Sequence, residues 1–135
     1  MERRGFIVAM GAVSAAPAIT TIAAHAAAAE SMHPARYKVL EETTAHCVST
    51  GEGCMRHCLG MVSMNDASMA GCLQMSFQMI TACGALRTLS AVNSPHVPAL
   101  ARVVAQFCVD CQKECEKFPD VAECRACGNL KWTPP

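Results

Sequence analysis

The chain has 135 residues, enough for one small domain, with 52% hydrophobic and only 4% aromatic residues and no formal net charge. Balanced charge with no basic run excludes the electrostatic footprint of a nucleic-acid binder. Ten cysteines and few aromatics leave a core built from Leu, Val, Ala, Met and Cys, which is thin for its length unless the sulfur takes part in some chemistry.

The first predicted element is an export signal over residues 1–29. Arg3-Arg4 precede Gly5-Phe6-Ile7-Val8 and an uncharged, Ala-rich stretch to Ala29, with small-x-small sites at Ala24-His25-Ala26 and Ala26-Ala27-Ala28. A charged start, an apolar middle and a small-residue cleavage site are the parts of such a signal. The paired arginines before Phe6 resemble the twin-arginine type, which implies cargo folded, and able to load metal, before export to the periplasm or beyond. The alternative is an uncleaved membrane anchor. Pro17 and the Ala-rich exit argue against it, so no stable membrane insertion is expected after cleavage. Residues 30–135, predicted to be the folded domain, keep nine basic and ten acidic residues once Arg3, Arg4 and Glu2 are removed.

Helical composition dominates that domain, and no stretch alternates like a strand. A first helix is predicted from about Pro34 to Met64, where Pro34 suits the first turn and Asn65 the end. Gly51 and Gly53 weaken its middle by about 1 kcal/mol each, which predicts a bend or break. Asn65-Asp66 offers an N-cap for a second helix, Ala67 to about Ala91. Asn93-Ser94-Pro95 reads as a turn, and a third helix follows from about Pro98 to Phe118. Pro119 stops it. A fourth helix starts near Asp120, meets Asn129 and cannot pass Pro134-Pro135. Short turns between long helices predict an all-α, up-down-up-down four-helix bundle with an incomplete fourth helix.

The cysteines fall on one face of each predicted helix. At about 100° per residue, Cys54 and Cys58 lie within about 20° of Cys47, and Cys108, Cys111 and Cys115 span about 60°. Cys72 and Cys83 are eleven residues apart, again on one face, and Cys124 and Cys127 begin another stripe. Depth agrees as well. Measured from the Met64–Asp66 and Phe118–Asp120 turns, Cys58 and Cys72 are each six residues deep, Cys111 and Cys127 each seven, and Cys47 and Cys83 each seventeen.

Inward-facing sulfur points first to Cu(I). Thiolates are soft ligands that favour it, and pairs such as Cys54/Cys58, Cys108/Cys111, Cys111/Cys115 and Cys124/Cys127 have Cβ atoms about 5–6 Å apart. Several ions could then line the bundle axis. Met61, Met64 and Met69 cluster at one end as soft thioethers, and His57 can reach the Cys54/Cys58 pair; core packing and an exposed histidine are the plainer readings of these residues. A disulfide framework is the main alternative for an exported chain with an even cysteine count, although thiols one turn apart close no long loop. A zinc site fits Cys108-x-x-Cys111 and Cys124-x-x-Cys127 by spacing but leaves Cys115 and five others unused. A redox or copper-transfer chaperone is a third possibility. Catalysis finds no support, since no cysteine stands apart and no carboxylate pair or phosphate loop accompanies the thiols.

Residues 37–128 resemble the exported bacterial copper storage proteins (Csp). The residues that carry the likeness are His46-Cys47-Val48, Cys54-Met55-Arg56-His57-Cys58, Met64-Asn65-Asp66-Ala67-Ser68-Met69, Ala82-Cys83-Gly84-Ala85-Leu86 and Lys113-Glu114-Cys115-Glu116-Lys117-Phe118-Pro119. The resemblance implies that all ten cysteines are Cu(I) ligands, mostly in pairs, with His57, Met61, Met64 and Met69 completing sites at an open end. It also implies a homotetramer that stores copper and supplies copper enzymes, such as a methane monooxygenase in methane oxidisers. One departure stands out. Family members carry further cysteines on a full-length fourth helix, whereas here the pattern stops at Cys127-Gly128 and then reads Asn129-Leu130-Lys131-Trp132-Thr133-Pro134-Pro135, as in a truncation or frame change. Cys47 and Cys83 are then expected to face a gap, with lower copper capacity and a metal-free bundle that is loose or dependent on oligomers.

Overall fold

Three helices carry the same buried spacing. In the computed structural model, which describes residues 32–130, α1 (Lys38–Ser63) buries Leu40, Thr44, Cys47, Gly51, Cys54 and Cys58, at intervals of four, three, four, three and four. The second helix, α2 (Ala70–Ala91), buries Cys72, Ser76, Met79, Cys83, Leu86 and Ser90 at those same intervals. In α3 (Val97–Cys115) the series is Val97, Ala101, Val104, Cys111 and Cys115, with half-buried Cys108 completing it. A 3.5-residue repeat keeps one seam facing the partner helices along their whole length. The fourth helix, α4 (Ala122–Gly128), buries Cys124 and Cys127.

These elements form an all-helical four-helix bundle with no strand among the described residues. α1 packs on α2 and α4, and α3 packs on the same two, so the helices make a ring. All the described residues fall within one compact unit, Ser31–Pro135. The expected signal over 1–29 lies outside the described residues, as do residues 131–135. No helix among those described is long and apolar enough to cross a membrane.

Two asparagines end the long helices. Asn65 (φ 61°) and Asn93 (φ 54°) take the left-handed conformation. The amides of Asp66 and Asn65 donate to the Met61 and Val62 carbonyls, and those of Ser94 and Asn93 to Leu89 and Ser90. Each is a Schellman closure, with Asn in the place glycine usually takes.

The helix starts differ from expectation. α1 begins at Lys38 rather than Pro34, because the Asn93 side chain accepts from the Arg36 amide (2.8 Å) and donates to the Pro34 carbonyl (3.1 Å). That clamp holds the preceding segment in a turn against the α2–α3 connection. α2 begins at Ala70 rather than Ala67, because the Asp66 carboxylate accepts from the Ser68 amide and makes a local turn instead of a helix cap. α3 ends at Cys115, with a tighter turn in which the Phe118 amide donates to the Cys115 carbonyl.

Nor does α1 break at its glycines. Gly51 is buried within a continuous helix, and a Cβ there would lie 2.5 Å from Met79 Cε and 2.9 Å from Ile80 Cγ1. This glycine lets α1 and α2 approach closely.

Candidate metal centre

The seams bring sulfur from separate helices together. Cys54 on α1 lies 3.3 Å, Sγ to Sγ, from Cys72 on α2, 3.8 Å from Cys115 on α3 and 3.7 Å from Cys124 on α4. Cys72 is in turn 3.7 Å from Cys115 and 3.9 Å from Cys124. All four are buried, with sulfurs within 4.8 Å of one another. Cys58, also buried, sits against Cys72 and Cys54.

A second group, Cys111, Cys115 and Cys127, shares Cys115 with the first. Cys111 and Cys127 are 3.6 Å apart, and Ser76 Oγ lies 3.7 Å from Cys111. The third group is Cys47, Cys83 and Cys108, with 3.6 Å between Cys83 and Cys108. Cys47 and Cys83 therefore do not face a gap. Cys108 of α3 takes the place expected of a longer fourth helix, and Cys47 is only 3% exposed. Cys108 itself is half-buried, unlike the other nine cysteines.

In each group one thiol gives up its proton easily and its neighbours hold theirs. Cys54 is held well below the ordinary thiol range because Cys115, Cys127 and Cys72 donate to its thiolate. Cys115 and Cys127 draw Cys111 down to about 4, and Cys108 and Cys83 draw Cys47 down to about 3. The donors shift the other way. Cys115 is raised by Cys111, Cys127, Cys54 and Cys72, and Cys108 by Cys47 and Cys83. Burial, together with the charge on Cys54 and Cys72, raises Cys124, and burial with the Cys72 and Cys54 charges raises Cys58. Buried thiolates repel one another, so near neutral pH a cation is needed before further protons can leave.

The residues expected at the open end are spread over different environments. Met69 is 2% exposed and belongs to the core, and half-buried Met61 packs against it, but Met64 is 67% exposed. His57 points its Nδ1 toward the Glu123 carboxylate of α4 at 3.8 Å. Sequence reasoning did not single out Ser76, Glu123 or Gln112, whose side-chain amide donates to the Gly128 carbonyl at 2.7 Å and ties α4 to α3. The seam spacing would have found Ser76, which lies four residues after Cys72 and three before Met79. Nothing local marks Glu123 or Gln112, because their partners are distant in sequence.

All ten cysteines are free thiols. Cys54 and Cys72, at 3.3 Å, are well beyond the roughly 2.05 Å of a disulfide. Buried, clustered thiols of this kind are soft-metal donors. No curated protein matches the chain. Residues 33–130, most of the 135-residue sequence, match the family model described as "Copper storage protein", and the chain therefore belongs to the copper storage protein (Csp) family.

Proposed function

We propose that this protein stores and buffers several Cu(I) ions on its cysteine thiolates and is not an enzyme. The observation that carries this reading is the convergence of buried sulfurs from separate helices on three groups that share the bundle interior. A monovalent soft ion binds two or three such thiolates and neutralises charge that would otherwise be costly to bury. All ten cysteines are assigned as ligands, from Cys47 to Cys127. Core-facing Met69 and half-buried Met61 are the thioethers nearest the sulfur column, His57 flanks it beside Cys58, and exposed Met64 meets incoming metal from solvent.

Export by the signal over 1–29, release to copper-enzyme clients and assembly into a homo-oligomer, a tetramer by family likeness, belong to the same proposal. The oligomer is supported by an apolar surface on which Phe77 (60% exposed) joins two grooves, one with Met55, Leu59 and Leu73 and the other with Ala82, Ala85 and Phe107.

Anaerobic Cu(I) titration with thiol counting tests the reading. Storage requires all ten thiols free at the start and binding of many equivalents per chain. Saturation at one or two equivalents would favour a transfer chaperone, and few titratable thiols a disulfide-bonded protein.

A further inference from the structure

We propose that Cys54, Cys72, Cys115 and Cys124 form a site for one tetrahedral divalent ion, Zn2+ foremost, in the copper-free chain. This rests on the reading of the sulfur groups as metal ligands and adds a second metal class to one of them. Each of the four helices supplies one buried sulfur. The five spacings running from Cys54 and Cys72 lie between 3.3 and 3.9 Å. A zinc ion with Zn–S bonds of about 2.3 Å needs sulfurs about 3.8 Å apart, and a closed set of four thiolates is the donor set that favours it.

Of the other two groups, Cys47, Cys83 and Cys108 offer three sulfurs, and the one that shares Cys115 with this site keeps Cys111 and Cys127 while the ion is bound. Two or three donors leave a tetrahedral ion unsatisfied but suit two- or three-coordinate Cu(I). The bundle thus separates the two metals by ligand number. Binding displaces to solvent the protons that the four sulfurs still hold and involves no electron transfer.

The ion would also act mechanically. α4 has only seven residues, far below the ~12–15 at which an isolated helix becomes even marginal in water. An ion bonded to Cys124 and to one sulfur on each of the other helices fastens α4 to the bundle. Copper must then displace it before the group can fill.

The test uses the full reduced, copper-free chain under anaerobic conditions, with Co2+ as an optical stand-in and Zn2+ as competitor. The expected result is one Co2+ per chain with the intense visible absorption of tetrahedral thiolate coordination, and its loss on adding Zn2+. Cys124→Ser should weaken Co2+ binding by more than about 100-fold, since even partners outside the ligand shell are worth 10–100-fold. Cys83→Ser, an equally buried change in the three-sulfur group, should leave it intact.

Absence of the tetrahedral spectrum in the native chain, or its survival at full strength in Cys124→Ser, would overturn the proposal. Should Cys124→Ser fail to fold, the thiolate-to-cobalt charge-transfer intensity of the native chain decides, and fewer than four thiolates per ion would overturn it. A Cu(I) titration of the same preparation separates the two readings. Many Cu(I) equivalents without a cobalt site defeat only this inference, whereas a cobalt site with Cu(I) saturating at one or two equivalents defeats only storage.

Discussion

Toward the α1–α2 and α3–α4 turns, the interior is Cys54, Cys58, Cys72, Cys115 and Cys124, drawn from four helices. Toward the α2–α3 turn it is Leu40, Thr44, Leu86, Val97, Ala101 and Val104, drawn from three. Both regions use the same 3.5-residue seam, so the backbone does not distinguish them. The hydrocarbon end gains from leaving water whether or not metal is present. The sulfur end buries groups that are weak hydrophobes while protonated and mutually repulsive once ionised. Stability and metal capacity are therefore assigned to opposite ends of one continuous core.

The sharpest way to break that comparison is to hollow out the hydrocarbon end. Leu86→Ala should destabilise the copper-free chain by about 2–5 kcal/mol, the range for deleting a fully buried leucine, in anaerobic denaturant unfolding. It should leave the number of Cu(I) equivalents unchanged, because no sulfur group contains residue 86. A fall in copper capacity as large as the fall in stability would mean that the two ends do not act separately.

Alkaline pH tests the sulfur end. Seven thiols, Cys58, Cys72, Cys83, Cys108, Cys115, Cys124 and Cys127, are raised in the fold, against three lowered. For Cys83 the Cys108 contact lowers, but the Cys47 sulfur and burial together push the thiol up from 9.0 to about 12. A raised thiol adds stability that is complete below the unfolded value and is lost as pH rises through the folded one. The copper-free bundle should therefore weaken between about pH 9 and pH 12, read as a falling denaturation midpoint. Cys47 and Cys111 work in the opposite sense: their contribution is complete above the unfolded value and is lost as pH falls toward about 3 for Cys47 and about 4 for Cys111. Copper loading should remove the alkaline loss, since bound thiolates have already shed their protons.

Much of this organisation was legible in the sequence. Four helices, the inward sulfur faces and the Asn65 and Asn93 turns follow from periodicity and from the left-handed backbone that Asn tolerates. The helix starts were not legible, because Asn93 holds Pro34 and Arg36 across the fold and Asp66 prefers its own turn to a helix cap. The Cys47/Cys83 pairing followed from depth, but Cys108 is ten residues below Phe118 and matched nothing. The Cys72–Cys115 and Ser76–Cys111 contacts show that α3 is offset along α2, so residues at equal count from the turns are not level. Gly51 read as a weak point because the sequence of a hinge and that of a close contact look the same.

That glycine lies between the two regions, and its substitution has a smaller expected effect. Gly51→Ala improves helix propensity by about 1 kcal/mol, yet its methyl would crowd Met79 and the branched Ile80 side chain. Overpacking of this kind costs about 1–3 kcal/mol. The net should be a modest loss of stability, read by denaturant unfolding. A stabilised Gly51→Ala chain would mean that the α1–α2 seam has slack.

The smallest effect is expected where α4 meets α3. Gln112→Ala removes the hydrogen bond to the Gly128 carbonyl, worth about 1 kcal/mol. Because α4 is the shortest helix, the loss should appear as faster amide exchange over Ala122–Gly128 and hardly at all in global unfolding. Metal makes the difference informative. Ions held by Cys124 and Cys127 would bind only the docked helix, and by mass action would hold it in place with or without Gln112. Exchange in the variant should then return to the native rate on loading. Persistent fast exchange in the loaded protein would show that α4 contributes no ligand and that the sulfur column rests on three helices alone.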